Sequence, residues 1–444
     1  MPKSLSIVIP AFNSAGHLRS CLEALRTEAD SRREVIVVDD GSTDETRAVA
    51  AEFPVTLITS SERRGPAFAR NLGAKAASGE ILVFLDSDVC VHHDTIERIR
   101  GSFEADPELD ALLGSYDSSP RSEDFLSQYR NLMHYHVHQK GAQEASTFWS
   151  GCGAIRRTLF LEHNGFDEAF GRPAIEDIEL GYRLSRAGRK IELDRTLQVT
   201  HLKRWTFWGL VKADVCDRGI PWTELILRDR FMPNDLNLQL SQRVSVALVF
   251  ILLGLSGFTA LKWGGYVLAP LFVMVFVLLV RWWMEFSEPS RPKAALFVLL
   301  GVIAAIVFLA YSYRMYGLIP PLMLSPALLL LRHRYAYGGL GEKLKRWLGL
   351  TYIGCSIAAA LHYLPSHGVI LFSFTMLAAL GVANSSFYLF LAGKRGILFM
   401  LATIPFHLLY HFYNGVSFMA GILLYLRGHV ESQGAVARQQ RVDS

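Results

Sequence analysis

The sequence has few cysteines and little net charge, and both shortages exclude classes of protein. Its 444 residues include only five cysteines, none in a CxxC pair: Cys21, Cys90, Cys152, Cys216 and Cys355. Such scattered cysteines indicate neither a zinc site nor a disulfide framework, and they suit a reducing cytosol. The formal net charge is only +4, whereas nucleic-acid binding calls for a concentrated basic face. We therefore expect no nucleic-acid partner.

The start of the chain lacks the basic and apolar regions of a secretory signal peptide. Residues 1–6 lead directly into a predicted strand at residues 7–9. We therefore expect the first domain to fold in the cytosol.

Long apolar runs are absent from the first half of the chain and dominate the second. Up to about Arg243 charged residues are mixed with short apolar runs, whereas residues 244–255 and 267–280 are almost wholly apolar. An apolar segment of about 20 residues matches the thickness of a bilayer core. We predict about six to eight membrane spans, drawn from residues 244–261, 266–284, 294–310, 318–331, 348–364, 369–391 and 397–426.

Basic residues concentrate in alternate loops between these spans. One set of loops carries Arg281, Arg291 and Lys293, then residues 332–346, then Lys394 and Arg395. Loops rich in Lys and Arg stay in the cytoplasm. We therefore expect a multi-pass integral membrane protein, of the bacterial inner-membrane type, with a cytoplasmic N-terminal domain. The predicted parts are a soluble domain at 1–204, interfacial aromatic helices at 205–242, membrane helices at 243–427 and a polar, disordered tail at 428–444.

Predicted strands and helices alternate through the first half of the chain. This alternation predicts an α/β fold with a mainly parallel sheet between helices. Polar residues follow the carboxyl ends of the predicted strands, where open α/β sheets bind ligands. These residues are Asn13, Asp39, Asp40, Asp86 and Asp88.

Two carboxylates, Asp86 and Asp88, stand two positions apart just beyond an apolar strand. Carboxylates in this arrangement can hold a hard divalent cation that also binds a diphosphate. An isolated Asp-x-Asp is equally typical of a turn, where Asp and Ser are favoured. The pair therefore gains meaning only from the motifs around it.

Several motifs occur in a fixed order, and together they resemble the family 2 glycosyltransferases. VIPAFN at 8–13 is followed by VVDDGSTD at 37–44, GPAFARN at 65–71 and DSD at 86–88. FWSGCG at 148–153, NGFDE at 164–168 and IED at 175–177 continue the pattern. The resemblance runs from about residue 4 to about residue 204 and implies the GT-A fold, a Rossmann-like mixed sheet between helices.

The resemblance also implies a role for each matching residue. Asp177, beside Glu176, would be the general base that takes the proton of the acceptor hydroxyl. Asp88, with Asp86, would bind Mg²⁺ or Mn²⁺ at the sugar diphosphate. The nucleotide-sugar donor, with a UDP-sugar favoured, would contact Pro10, Asn13, Asp39, Asp40, Gly65, Arg70 and Asp86. The acceptor would contact Ser150, Gly151 and Cys152. For single residues a purely structural role is an alternative: Asp177 and Asp44 could each cap a helix.

A further motif, HLKRW at 201–205, resembles the QxxRW signature of membrane-embedded processive polysaccharide synthases. Trp205 would then contact the acceptor sugar, and Arg204 would lie near the diphosphate. His201 stands where those synthases have Gln, and Ile175 stands where they usually have Thr. An interfacial Trp anchor with a snorkelling Arg is an alternative for the same pair.

Two histidine groups fall outside these motifs. His134, His136 and His138 alternate in a segment predicted to be helical, which disperses them round the helix, so we expect no metal site there. His407 and His411 share a face of the last predicted span, where helix–helix hydrogen bonds are favoured over contact with a lipid acceptor.

The expected function is inverting, metal-dependent transfer of a sugar from a nucleotide sugar to a membrane-associated acceptor, in cell-envelope glycan synthesis. The acceptor would be a lipid carrier or a glycolipid. One alternative is a processive polysaccharide synthase that also secretes its product. Another, of a different class, is a flippase or transporter whose soluble domain senses a nucleotide sugar.

Overall fold

The computed structural model describes residues 4–26, 33–263, 372–373 and 375–442, without the side chains of 256–263 and 428–442. Contacts divide the chain into two compact units, one formed by Met1–Leu240 with Tyr413–Ser444 and the other by Ser241–Phe412. The predicted spans at 266–284, 294–310, 318–331 and 348–364 lie outside the described residues.

The first unit contains one mixed sheet of eight strands, as the motif order predicts. Its spatial order is β3-β2-β1-β4-β7-β6-β8-β5. The strands are β1 Leu5–Ala11, β2 Arg33–Asp39, β3 Thr56–Thr59, β4 Ile81–Leu85, β5 Val89–Val91, β6 Ala111–Tyr116, β7 Cys152–Arg156 and β8 Ile191–His201. Strands β1 to β4 pair in parallel, β7 runs antiparallel to β4 and β6, β8 is parallel to β6, and β5 is antiparallel to β8.

Helices cover the sheet, and most coincide with predicted helical segments. They are α1 Ala15–Arg26, α2 Thr46–Ala51, α3 Pro66–Ala76, α4 Thr95–Ala105, α5 Phe125–Lys140, α6 Arg157–Glu162, α7 Glu176–Arg186, α8 Phe207–Lys212, a π-helix at Ala213–Gly219 and α9 Ile220–Asp229. Helix α3 begins with a proline at its first position, where the missing N–H is not needed. The proline therefore favours a helix start at this residue.

The central strands are buried on both faces, and their residues divide between two core clusters. In β1, Ile7 and Ile9 belong to one cluster whereas Val8 belongs to the other. Side chains alternate across a strand, so a run of branched apolar residues packs against helices on both sides. This burial explains why β1, β2 and β4 read as continuous apolar runs rather than as alternating ones.

The segment at 205–242 is helical as predicted, but only part of it has the exposed aromatic character expected of an interfacial layer. Trp208 is 77% exposed. Trp222 instead donates from Nε1 to the hydroxyl of Tyr182 at 2.9 Å, and both pack in a cluster with Phe231. Trp222 and Phe231 therefore pack against the core around α7, and the interfacial interpretation of the segment stays a prediction.

The C-terminal part contains helices α10 Leu240–Trp263, α11 Thr375–Ala383, α12 Ser385–Arg395 and α13 Ile397–Val442. Within the described residues no single helix meets the length and apolarity needed to cross a membrane. One pair, α11 with α12, meets them jointly but bends by 62° at its break. The multi-pass membrane domain therefore stays a prediction.

Helix α13 differs from the expectation at its end, because it continues through residues 428–442, where a disordered tail was expected. The segment is polar but contains several Ala, Gln and Arg residues, which are strong helix formers. Within the second unit, His407 Nδ1 lies 3.1 Å from the hydroxyl of Tyr388, and its ring lies 4.4 Å from that of His411. The contact with Tyr388 joins α12 and α13, in agreement with the favoured interpretation for His407, whereas neither ring nitrogen of His411 has a hydrogen-bond partner among the described residues.

Candidate active site

The strand directions bring distant parts of the chain to one edge of the sheet. Strands β4, β6 and β8 end at this edge, and the antiparallel strands β5 and β7 begin there. The edge therefore collects Asp86, Asp88, Tyr116, Ser150 and His201. In open α/β sheets this carboxyl edge is the ligand-binding edge.

Of two predicted donor residues, Asn13 links neighbouring loops and Pro10 lies in the strand that leads to it. The side-chain oxygen of Asn13 accepts hydrogen bonds from the backbone N–H groups of Thr43 at 2.8 Å and Asp44 at 3.4 Å. Asn13 has a φ of 47°, a left-handed conformation that Asn tolerates better than most residues. Pro10 lies inside β1, where it is buried. Asn13 therefore shapes the loop through its oxygen, and Pro10 sets the strand that leads to it.

Asp39 and Asp40 are both buried, and both carboxylates are already bonded within the protein. Asp39 accepts from Ser42 N at 3.2 Å and from Arg47 Nε at 2.6 Å. Asp40 accepts from the backbone N–H groups of Arg64 at 2.8 Å and Gly65 at 2.7 Å. The described contacts of Asp39 and Asp40 order the two surrounding loops, and their contact with the donor stays a prediction.

Gly65 occupies a position that only glycine suits. Its φ is 99°, and a Cβ there would lie 2.7 Å from the backbone of Gly171. The absence of a side chain lets the loop before α3 contact the loop before α7. This contact joins the predicted donor side of the site to the segment that carries Asp177.

Arg70, on α3, joins two carboxylates of the predicted site. Its Nη2 lies 2.6 Å from Asp86 Oδ1, and its Nη1 lies 2.8 Å from Glu176 Oε1. The side chains of Arg70 and Glu176 are each only 5% exposed. Charge-assisted bonds of this kind are among the stronger hydrogen bonds in proteins. Arg70 and Glu176 therefore position Asp86 and the start of α7, and their roles towards a substrate stay predictions.

Asp177 is the carboxylate best suited to accept a proton. Its Oδ2 accepts from the backbone N–H of Ser150 at 3.1 Å and from the Ser150 hydroxyl at 3.2 Å. Burial and the negative charge of Glu176 raise the pKa of Asp177 to about 6, against the lowering effects of the Ser150 N–H and Arg70. A carboxylate with a pKa near the working pH suits general-base catalysis.

Asp88 has an unexpected neighbour in His201, the last residue of β8. The Oδ2 of Asp88 lies 3.7 Å from Nε2 of His201, a separation that one cation could bridge at ordinary ligand distances of about 2.1 Å. Burial raises the pKa of Asp88, but the interaction with His201 and the charges of Lys203 and His17 lower it by more, so the carboxylate is ionised.

The donor set suits a cation that takes further ligands from its substrate. No group of three or more His, Cys, Asp or Glu side chains arranged to hold a metal occurs in the part of the chain that the structure describes. Mg²⁺ commonly binds through one or two carboxylates together with substrate phosphates. Asp88 and His201 therefore fit a cation completed by a bound diphosphate, with Asp86 beside them.

The three residues predicted to contact the acceptor have different surroundings. Ser150 contacts Asp177, and Gly151 leaves room for the ring of Trp149, since a Cβ there would lie 2.5 Å from it. Cys152 is fully buried in the core beneath the sheet edge, and burial raises the pKa of its thiol to about 12. The expectation that Cys152 contacts an acceptor is therefore wrong, because its side chain faces the core.

Arg204 and Trp205 are consecutive in the chain. Their described contacts involve none of the carboxylates of the candidate site. Arg204 is 80% exposed and lies 3.7 Å from Asp124. The backbone N–H of Trp205 donates to Ser127, and Lys203 lies 4.2 Å above its ring. These contacts connect the segment to the start of α5.

Sequence reasoning missed a cluster of rings beside Asp88. The ring of Tyr116 stacks on His201 at 4.2 Å and lies 4.4 Å from His134 and 4.9 Å from Trp149. His134 and His138 stack at 4.0 Å. The segment is helical, as predicted. Residues four apart share a helix face, so His134 and His138 lie on one side of α5 and are not dispersed round it. Only this i,i+4 spacing could have been read from the sequence.

Comparison with known proteins supports the assignment of the N-terminal part. The sequence model described as Glycosyl transferase family 2 matches residues 6–163. An uncharacterized glycosyltransferase of Haemophilus influenzae is 36% identical over 111 residues, which cover 24% of this chain and 37% of that protein. A pre-mycofactocin glycosyltransferase of Mycobacterium tuberculosis is 29% identical over 210 residues, covering 45% of this chain and 43% of that protein.

A solved structure with a partly similar fold is the mannosyltransferase PcManGT from Pyrobaculum calidifontis, in complex with GDP-Man and Mn²⁺. Its TM-score is 0.42 at 18% identity, and the match covers 76% of this chain and 89% of that one. The two sequence relatives are matched over less than half of their own lengths. The matched residues 6–163 are a glycosyltransferase domain of family 2.

Proposed function

We propose that this protein transfers a sugar from a nucleotide-sugar donor, a UDP-sugar being favoured, to a hydroxyl of a membrane-associated acceptor, with inversion at the anomeric carbon. The acceptor is a lipid carrier or a glycolipid of the cell envelope. The observation that carries the proposal is Asp177, whose pKa is raised to about 6 beside the edge that holds Asp86 and Asp88.

The reaction assigns one chemical role to each side of the site. The acceptor oxygen attacks the anomeric carbon while its proton passes to the carboxylate of Asp177. The bond from the anomeric carbon to the diphosphate oxygen breaks, and the nucleoside diphosphate leaves. When bound, Mg²⁺ or Mn²⁺ neutralises negative charge on the leaving diphosphate as a Lewis acid. Asp88 and His201 would hold it, with Asp86 alongside.

The surrounding contacts support this division of labour. The two donors of Ser150 fix the orientation of Asp177. Arg70 fixes Asp86 at 2.6 Å and the start of α7 through Glu176. Holding reactive groups in one geometry accelerates a reaction by removing the entropy cost of bringing them together. The same ion pairs therefore serve the fold and the reaction.

The membrane location rests on the apolar second half of the sequence and on its loop charges, as given above. A membrane-bound enzyme with a cytoplasmic catalytic domain would meet its soluble donor in the cytoplasm and its acceptor in the bilayer. The proposal therefore includes a multi-pass, inner-membrane location.

The test is donor turnover by the full-length protein in detergent with membrane lipid extract. UDP-, GDP- and dTDP-sugars are supplied with Mn²⁺ or Mg²⁺, and nucleotide release and label transfer are measured. Asp177→Asn and Asp88→Asn should lose transfer, whereas Asp94→Asn should keep it, because Asp94 is 46% exposed and pairs with Arg98.

Metal-dependent release from one donor, with label in the lipid fraction, would support the proposal, and product length would separate single addition from polymerisation. Transfer that persists in Asp177→Asn would contradict the assigned base. Donor binding without turnover across the acceptor panel would favour the sensing or transport alternative instead.

A further inference from the structure

The rings of Tyr116, His134, Trp149 and His201 form a continuous surface, the wall, beside the proposed reaction site. Tyr116 is its centre and contacts His201, His134 and Trp149 at ring distances of 4.2 to 4.9 Å. His201 joins the wall to Asp88. The wall therefore starts at the proposed cation-binding pair.

The other end of the wall reaches the general base. Trp149 directly precedes Ser150, whose backbone N–H and hydroxyl donate to Asp177. Tyr116, His134 and Trp149 are each half-buried as residues. Apolar ring faces with a few placed polar groups are typical of small-molecule sites.

His134 is held in place from both sides along α5. One turn earlier, Arg130 forms an ion pair with the buried Asp214, with 2.5 Å between Nη2 and Oδ1. One turn later, His138 Nδ1 lies 3.0 Å from the backbone oxygen of Gly114. Residues four apart lie above one another on a helix. The imidazole of His134 is therefore a fixed part of the wall rather than a mobile surface group.

His134 carries no charge at neutral pH and has unused hydrogen-bonding capacity. Burial lowers the pKa of His134 well below its ordinary value, and the positive charges of Arg218 and Arg130 lower it further. Its Nδ1 is buried without a hydrogen-bond partner among the described residues. A neutral imidazole offers one donor and one acceptor, and an unpaired buried polar atom calls for a ligand or water to complete it.

We propose that Tyr116, His134 and Trp149 bind a saccharide ring of the acceptor, with the imidazole of His134 hydrogen-bonding one of its hydroxyls. The inference rests on the proposed function and narrows it, since the acceptor is then already glycosylated rather than a bare lipid phosphate. Aromatic rings cover the apolar C–H face of a sugar, and the imidazole sets its orientation. The attacking hydroxyl would then lie between this wall and Asp177.

The first experiment measures binding directly, so that it does not depend on turnover. Methyl and octyl hexosides are titrated onto the full-length protein with UDP and Mg²⁺ present, and binding is followed by saturation-transfer NMR. His134→Phe keeps a ring but removes both nitrogens, and His134→Gln keeps hydrogen bonding but removes the ring. His136→Phe, on the same helix, is the matched control.

We expect glycoside affinity to fall about tenfold in His134→Phe, as for loss of one hydrogen bond in a desolvated site, and to stay unchanged in His136→Phe. UDP binding and the thermal transition show that each variant is folded. The same glycoside affinity in wild type and both His134 variants, or no glycoside binding at all, would overturn the inference.

The kinetic experiment tests whether the wall binds the acceptor or the sugar of the donor. With an octyl glycoside as acceptor, His134→Phe should raise the acceptor KM without a matching rise in the donor KM. A rise confined to the donor KM would overturn the inference, because the wall would then bind the donor. Glycoside binding without any donor turnover would support the wall while contradicting the proposed function, so the two failures are distinguishable.

Discussion

Arg70 and Glu176 form an ion pair in which each side chain is only 5% exposed, with 2.8 Å between Nη1 and Oε1. The same guanidinium also binds Asp86 at 2.6 Å. Two segments far apart in the sequence, the end of β4 and the start of α7, are thereby tied to α3. Asp86, of the proposed metal site, and Glu176, the neighbour of the proposed general base, are therefore bound by the same guanidinium.

Removing Arg70 should cost both stability and activity. Arg70→Met leaves Glu176 buried without its partner, which typically costs about 3–5 kcal/mol in the free energy of unfolding. The double variant Arg70→Met with Glu176→Gln should recover part of that loss, since no unpaired charge then remains buried at Glu176. Denaturant unfolding of the detergent-purified protein measures both variants. An equal loss in the single and double variants would show that the unpaired carboxylate is not the cause.

Activity should depend on the ionisation of Asp177. A general base must be unprotonated. The value of kcat/KM should therefore rise with pH through a midpoint near 6 and level off at higher pH. Asp177→Asn should lower kcat by about 10²–10⁴-fold. The pH profile of nucleotide release measures the midpoint, and a profile flat between pH 5 and 8 would argue against Asp177 as the base.

Asp177 should also reduce stability at neutral pH. Its folded pKa, about 6, lies above the ordinary value of 3.8, so the folded state binds its proton more tightly than the unfolded state. Its contribution is therefore most favourable below pH 4 and is lost as the pH rises towards 6 and above. Asp177→Asn should raise the free energy of unfolding by about 1–3 kcal/mol at pH 8 and by much less at pH 4. Equal effects at both pH values would contradict this burial cost.

Metal affinity should depend on His201 as well as on Asp88. His201→Gln removes an imidazole nitrogen 3.7 Å from the Asp88 carboxylate, so Mn²⁺ affinity in the presence of UDP should fall at least about tenfold. His93→Gln replaces an exposed histidine and should leave affinity unchanged. Electron paramagnetic resonance of free Mn²⁺ gives both values. Unaltered affinity in His201→Gln would leave the carboxylates as the only protein ligands.

Gly65→Ala should disturb the loops on both sides of the site. The glycine has a φ of 99°, and the added Cβ would meet the backbone of Gly171 at 2.7 Å. Strained backbone of this kind costs about 1–3 kcal/mol, and nucleotide binding should weaken with the displaced loop. Gly101→Ala is a suitable control, because nothing lies within 4 Å of its Cβ position and alanine favours a helix. A normal UDP affinity in Gly65→Ala would show that the loop yields without cost to the site.

The sequence alone was sufficient for the elements whose signals are local. Continuous apolar runs predicted β1, β2 and β4 to within a residue or two, and Pro66 marked the first residue of α3. The ordered motifs also predicted a family 2 domain over about residues 4–204, of which the family model matches residues 6–163. These signals survive because strand burial and helix starts depend on neighbouring residues.

The roles of single residues needed the folded chain. The sequence could not show that the carboxylates of Asp39 and Asp40 accept hydrogen bonds from the loops they order. Cys152 read as an acceptor residue, but the alternation of side chains in β7 turns it into the core. In each case a partner distant in the sequence, or the strand's orientation, decided what the side chain contacts.

The sequence by itself therefore determined the α/β domain, the order of its carboxylates and the apolar character of the second half. Only the tertiary structure decided that His201 lies beside Asp88, that Arg70 joins Asp86 to Glu176, and that Tyr116 and His134 form a wall at the same edge. The physical reason is the sheet order, in which β7, β6, β8 and β5 follow β4 in space. Pairing between strands distant in the chain is set by the packing of the whole core, which no local pattern records.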